Sequence, residues 1–178
     1  MQNIDVKKEL SLRFIAYFEI IGGALGILTT MVALVVSIQK ALYMKQVPWV
    51  TVATITCKPL FFLFLYLFLL RAGLMMSKHY LKGHHDSMWC QLLQVPTIIS
   101  PWLNYHFHAG VDLSLGYFSV GALQKLDVKS TLGSHYWLQV GSAHNLSGFY
   151  VNVIALLCVI ILYVYWPGKQ ADQLPSTG

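Results

Sequence analysis

The sequence predicts an integral membrane protein, mainly α-helical, with three transmembrane helices and a small antiparallel β-meander between the second and the last span. Hydrophobic residues make up 56% of its 178 residues and charged residues only 11%, whereas a soluble domain carries about 25% charged residues. Three long apolar runs divide the chain, and the stretch between the last two alternates apolar and polar residues, as strands do. The alternative is a four-helix transmembrane bundle.

The three apolar runs are the predicted spans. The first, 14–38, is long enough to cross a hydrocarbon core of about 30 Å and too long for the apolar part of a signal peptide. The second, 59–70, reaches span length only if 50–56 and 72–76 extend it. The third, 148–166, ends in aromatic residues followed by Pro–Gly, a common stop at the membrane interface.

These runs divide the chain into four predicted parts. They are an N-terminal tail with a transmembrane hairpin (1–77), a juxtamembrane segment with the β module (78–146), a last span (147–168) and a flexible tail (169–178). Lysine and arginine favour the inner side of a cell membrane, which predicts a multi-pass protein with its N-terminus inside. That topology places eight basic residues inside, namely Lys7, Lys8, Arg13, Arg71, Lys78, Lys82, Lys125 and Lys129. It places three outside, Lys40, Lys45 and Lys169.

The β module is predicted from an unbroken alternation over residues 103–117. A period of two residues is typical of strands and would make a poor transmembrane helix. Because one strand of that length is unusual, we expect two or three strands within 100–146, with a break at Gly110 or Gly116. The competing interpretation makes 98–123 a fourth helix.

Histidines are the first candidates for chemistry. On a strand, His106 and His108 share one face with Asp112, and imidazole and carboxylate ligands suit transition metals. His106 and His108 are therefore the predicted metal site, with a third ligand expected from His135 or His144. The alternative is a solvated strand face that binds nothing. A second polar group matches no ligand spacing and is expected to form a juxtamembrane loop: His79, His84, His85, Asp86 and Cys90.

Two further features lie in the predicted hairpin. An acid inside a span usually faces a partner or a wet cavity, and Arg71 lies at a matching depth on the second helix, so Glu19 and Arg71 are predicted to form a structural ion pair. The alternative role for Glu19 is a proton or ion relay. The small residues Gly22, Gly23 and Gly26 predict close helix packing.

No catalytic motif or paired carboxylates are evident, so the predicted function is non-enzymatic: an accessory, scaffold or sensor subunit of unknown specific role. Its expected partners are the lipid bilayer and another membrane protein or a second copy of itself. The net charge of +5 is attributed to loop lysines, and no nucleic-acid partner is expected. The alternative function is a metal- or haem-handling membrane protein that uses the clustered histidines, with a transition metal as the possible cofactor.

Overall fold

The computed structural model of the chain describes residues 6–43, 48–78, 80–120, 123–141 and 146–166. Within these ranges the chain forms four helices and six strands. In order they are α1 (Val6–Tyr43), α2 (Trp49–Lys78), α3 (Tyr80–Gln94), β1 (Pro96–Ile99), β2 (Leu103–His108), β3 (Val111–Val120), β4 (Leu123–Leu132), β5 (His135–Val140), β6 (Leu146–Asn152) and α4 (Val153–Val164). The predicted tail at 169–178 lies outside the described residues.

The first two predicted spans lie in two long helices that form a hairpin. Among the described residues, two helical stretches are long and apolar enough to cross a membrane, Lys8–Tyr43 in α1 and Ile55–Lys78 in α2. Pro59 lies inside α2 without ending it. By length and composition alone, these two described helices could cross a bilayer.

The prediction of a third span is wrong. α4 has 12 residues, which reach about 18 Å and cannot cross a core of about 30 Å. The first part of the run, rich in aromatic and β-branched residues that favour strands, forms β6 instead and pairs with β1 and β3. Asn152 marks the change, because its side-chain oxygen accepts hydrogen bonds from the N–H groups of Ile154 and Ala155 and caps α4.

The sheet also differs from the predicted meander. It is antiparallel throughout, and its six strands run in the order β4-β3-β6-β1-β2-β5. The run 103–117 forms β2 and most of β3, which separate at Gly110, whose φ of 87° is left-handed. Because β6 inserts between β3 and β1, strands that are neighbours in sequence are not all neighbours in the sheet. The four-helix bundle is equally wrong, since most of 98–123 is extended.

The sheet has an apolar outer face and a polar inner face. Tyr105 and Phe107 of β2 point outward, and Phe107 packs against Phe62 and Tyr66 of α2. α3 also contacts this face, since its Leu93 carbonyl accepts a hydrogen bond from Tyr105. Edge strands β4 and β5 join through a tight turn and line one cavity, so the sheet is curved.

The glycines of α1 place the sheet on the hairpin. A Cβ on Gly22 would lie 2.9 Å from the carbonyl carbon of Ala109, at the turn between β2 and β3. The hydroxyl of Ser134, in the turn between β4 and β5, donates a 2.6 Å hydrogen bond to the carbonyl of Gly22. Gly23 and Gly26 lie against α2. These three small residues therefore let both α2 and the sheet pack closely against α1.

Candidate metal centre

The inner face of the sheet brings two histidines and an aspartate together. His106 and His108 alternate on β2, so both imidazoles point to the same side. The turn at Gly110 reverses the chain, and Asp112 on β3 then points back toward them. Of the described residues, His106, His108 and Asp112 are the group of three whose ligand atoms lie close enough to hold a metal ion.

Their donor atoms form a compact triangle. His106 Nε2 lies 2.7 Å from His108 Nδ1, and Asp112 Oδ2 lies 3.5 Å and 3.9 Å from those two nitrogens. These separations bracket about 3.3 Å, the distance between ligand atoms around tetrahedral zinc with bonds of about 2.05 Å. One point lies about 2.0 Å from all three atoms, which is the length of a zinc–ligand bond. That point lies in the plane of the three atoms, so a tetrahedral ion would require the two nitrogens to move apart toward about 3.3 Å.

A fourth candidate ligand stands beside the triangle. His135 of β5 pairs with His108 in the sheet register, and its ring centroid lies 5.7 Å from that of His106 and 6.0 Å from that of His108. The sequence required a third ligand from His135 or His144. The structure places His135 next to the predicted pair, and His144 lies outside the described residues.

The site is buried, and its hydrogen bonding is incomplete. The side chains of His108 and Asp112 are each 1% exposed. Ser114 donates a 2.6 Å hydrogen bond to Asp112 Oδ1, but Asp112 Oδ2 and His108 Nε2 make no hydrogen bond to any described residue. Buried polar atoms are normally paired, and a cation at the centre of the triangle would satisfy the carboxylate oxygen.

The environment favours the protonation states that bind metals. Burial, and next the neighbouring His106, lowers the pKa of His108 to about 4. Burial and His106 also lower the pKa of His135. Burial alone would raise the pKa of Asp112, but the contact with His106 and the hydrogen bond from Ser114 hold it below its usual value. At neutral pH these groups are two neutral imidazoles and a carboxylate, the forms that coordinate cations.

A cavity of about 360 Å³ opens beside the triangle. Its wall includes His106 and His135, with Lys129 from β4 and Trp137 and Gln139 from β5. The ammonium of Lys129 lies 4.0 Å from the ring centroid of Tyr150, a cation–π contact. An ion held by the triangle would thus have one side toward this cavity.

Glu19 has different partners from the predicted one. Its Oε1 accepts hydrogen bonds from Ser87 (2.5 Å) and Gln91 (2.9 Å) of α3, and the side chain is buried. Arg71 is exposed, and the described residues contain no ion pair between Glu19 and Arg71. Sequence spacing places Glu19 and Arg71 at matching depths in the two predicted spans, but no local pattern predicts that α3 folds back onto α1.

The second histidine group does not converge. His84 is buried and its Nε2 lies 2.7 Å from the carbonyl of Leu162 in α4. His85 is exposed, close to Trp89 and 3.9 Å from Asp86, and Cys90 is buried among apolar side chains. His79 lies outside the described residues.

Sequence reasoning missed the groups that hold the site in place. Ser114 orients Asp112, and Tyr66 of α2 donates a 3.1 Å hydrogen bond to the carbonyl of His108. Ser114 could have been found, because it lies two residues after Asp112 on the same strand face. Tyr66 sits in an apolar helix far away in sequence, and no local pattern points to it.

No family model matches the chain, and neither the curated proteins nor the solved structures contain one significantly similar to it.

Proposed function

We propose that this protein binds a transition-metal ion through His106, His108 and Asp112, and that the α1–α2 hairpin anchors it in a membrane. The observation that carries the proposal is the triangle of donor atoms, which leaves one point at bonding distance from all three. The unpaired oxygen of the buried Asp112 supports it, because a buried carboxylate is normally paired or coordinates a metal.

Zn²⁺ is the ion that the site favours. Imidazole suits zinc, copper, iron and nickel, and two histidines with one carboxylate are also the donor set of non-haem Fe²⁺ sites. The separations between the donor atoms average about 3.4 Å, close to the spacing of about 3.3 Å around tetrahedral zinc. His135 or a water from the cavity would complete the tetrahedron.

Exposed apolar surface supports the membrane anchor. Large apolar residues of α1 are uncovered along the helix, including Phe14, Ile21, Leu28, Val35 and Leu42. A soluble monomer rarely exposes so long an apolar stripe. Basic residues cluster near the N-terminal end of α1 and the C-terminal end of α2, so the N-terminus is inside by the positive-inside rule.

Metal titration tests the proposal directly. The protein is purified in mild detergent, stripped with a chelator, and titrated with Co²⁺, whose visible absorption reports tetrahedral coordination, and then with competing Zn²⁺. We expect one Co²⁺ per chain, displaced by Zn²⁺. The variants His106→Asn and Asp112→Asn should each weaken binding by at least tenfold, since each removes one ligand of three.

His85→Asn is the matched control, because His85 is an exposed histidine outside the triangle. It should bind as the wild type does. Equal binding by the wild type and Asp112→Asn would contradict the metal site, and preferential retention of Fe²⁺ under anaerobic conditions would reassign the ion. Release of the protein from membranes by alkaline carbonate would contradict the anchor.

The role predicted from the sequence, an accessory, scaffold or sensor subunit, stays a prediction. Of these roles, a sensor is compatible with the metal site proposed here, because it could detect the bound metal.

A further inference from the structure

The outer face of the sheet is apolar on both halves, but only one half is covered. On β2 and β5, Tyr105, Phe107, Tyr136 and Leu138 pack against the core built on α2. On β3, β4 and β6 the residues of the same face are exposed, and Leu132 and Leu126 are 85% and 82% exposed. The exposed apolar residues of this uncovered outer face are Val111, Leu115, Tyr117, Leu126, Val128, Leu132 and Phe149. The smaller polar residues Gln124, Ser130 and Ser147 lie among them.

This pattern is the reverse of that in a soluble sheet. On β4 the residues between the apolar ones, Lys125, Asp127 and Lys129, point to the inner face. Strands that alternate apolar outward and polar inward are typical of sheets surrounded by lipid. β3 and β4 have 10 residues each, the length of about 9–11 residues that a strand needs at membrane depth.

The sheet lies beside the candidate spans rather than beyond them. Along α2, its contacts run from Lys58, whose ammonium lies 5.3 Å from the ring centroid of Trp137, to Tyr66. On α1, both turns at one end of the sheet meet Gly22, about 21 Å along the helix from the start of its candidate span at Lys8. If the hairpin crosses the bilayer, these contacts fall within it.

We propose that the uncovered outer face lies against lipid acyl chains, so that the sheet is embedded in the bilayer beside α1 and α2. The inference rests on the membrane anchor of the proposed function. The apolar surface is continuous, because the paired residues Val111 and Leu132 lie next to the turns that contact Gly22. The exposed side chains of α1 and those of the sheet therefore share one lipid-facing surface.

Most strands of the sheet have their backbone paired on both sides, which a lipid environment requires. In lipid, irregular backbone and unpaired strand edges are tolerated only where protein covers them or where they line a wet cavity. β3, β6, β1 and β2 are paired on both sides. The two edge strands, β4 and β5, both contribute side chains to the same cavity. Lys129 is the β4 residue in its wall, so water in that cavity would solvate this lysine and the parts of the edges beside it.

Site-directed spin labelling in vesicles tests the inference. Cys57 is the exposed cysteine, while Cys90 and Cys158 are buried, so single labels are introduced in a Cys57→Ser background. Labels go to outer positions (Leu126→Cys, Val128→Cys), inner positions (Lys125→Cys, Lys129→Cys) and the α1 reference Leu28→Cys. The protein is reconstituted at low density in phosphatidylcholine–phosphatidylglycerol vesicles. Collision with O₂, which concentrates in lipid, is compared with collision with a water-soluble nickel chelate.

We expect positions 126, 128 and 28 to favour O₂ and positions 125 and 129 to favour the nickel chelate. If position 28 favours O₂ but 126 and 128 favour nickel, the sheet lies in water, and this inference fails while the anchor stands. If position 28 itself favours nickel, the anchor fails as well. Protection of 126 and 128 from both reagents would mean that a protein covers the face, which also overturns the inference.

Discussion

Acid should destabilise the metal-free protein through His108. Burial lowers the pKa of this imidazole to about 4 in the folded chain, against about 6.5 when it is unfolded. Between those values the unfolded state binds more protons at His108 than the folded state, so the contribution of this residue to stability is lost as the pH falls. At pH 7.5 the neutral form predominates in both states.

The size of the effect follows from the difference between the two pKa values. At about 1.36 kcal/mol per pKa unit, lowering the pKa of His108 from 6.5 to about 4 gives a total loss of about 3 kcal/mol. Integration gives a loss of about 1 kcal/mol at pH 5.5 and between about 2 and 3 kcal/mol at pH 4.5. Guanidinium unfolding in mild detergent, with chelator present, gives the total pH dependence relative to pH 7.5, and comparison with a variant that lacks the imidazole isolates the part due to His108.

His108→Asn separates this imidazole from every other titrating group. The amide can occupy the place of Nδ1 next to His106 and Asp112 but does not titrate, so the loss on acidification should shrink by about 3 kcal/mol. The exposed His85→Asn is the control for removing an imidazole outside the site. An unaltered acid dependence in His108→Asn would refute the assignment of a strongly lowered pKa to His108.

Three substitutions test the packing that supports the site. Gly83→Ala should lower the free energy of unfolding by about 1–3 kcal/mol, because its Cβ would lie 2.2 Å from the backbone nitrogen of Met76; unfolding equal to wild type would contradict the close α2–α3 contact. Asn152→Ala should cost about 1–2 kcal/mol by removing the cap of α4, and Asn152→Asp should restore most of it. Tyr66→Phe should cost about 1 kcal/mol through loss of its hydrogen bond to the His108 carbonyl. Denaturant unfolding measures the change in each of these variants. If the losses in Tyr66→Phe and His108→Asn add in the double variant, the two sites are independent.

Sequence patterns predicted local structure better than they predicted long-range pairing. The alternation over 103–117 does form strands, and the glycine at 110 does break them, because both signals act within a few residues. The run 148–166 misled because hydropathy measures length and apolarity, while β6 is decided by hydrogen bonds to β1 and β3. β1 and β3 begin 50 and 35 residues before β6 in the chain, beyond the reach of any periodicity.

The candidate site shows the same division between local and distant information. His106, His108 and Asp112 could be placed on one face from their spacing, since a strand alternates with a period of two. Spacing alone could not show that the three side chains meet. They meet because Gly110 turns β3 back, so that the Asp112 carboxylate comes within 3.5 Å of His106. His135 arrives from β5 only because that strand pairs with β2 in a register that sets it opposite His108. A one-residue slip of that register would turn His135 to the outer face, against the core on α2, and replace it at the site with Ser134 or Tyr136. The register is fixed by Tyr136 and Leu138, which must remain on the apolar side with Phe107. The chemistry of the inner face therefore depends on apolar packing on the outer one.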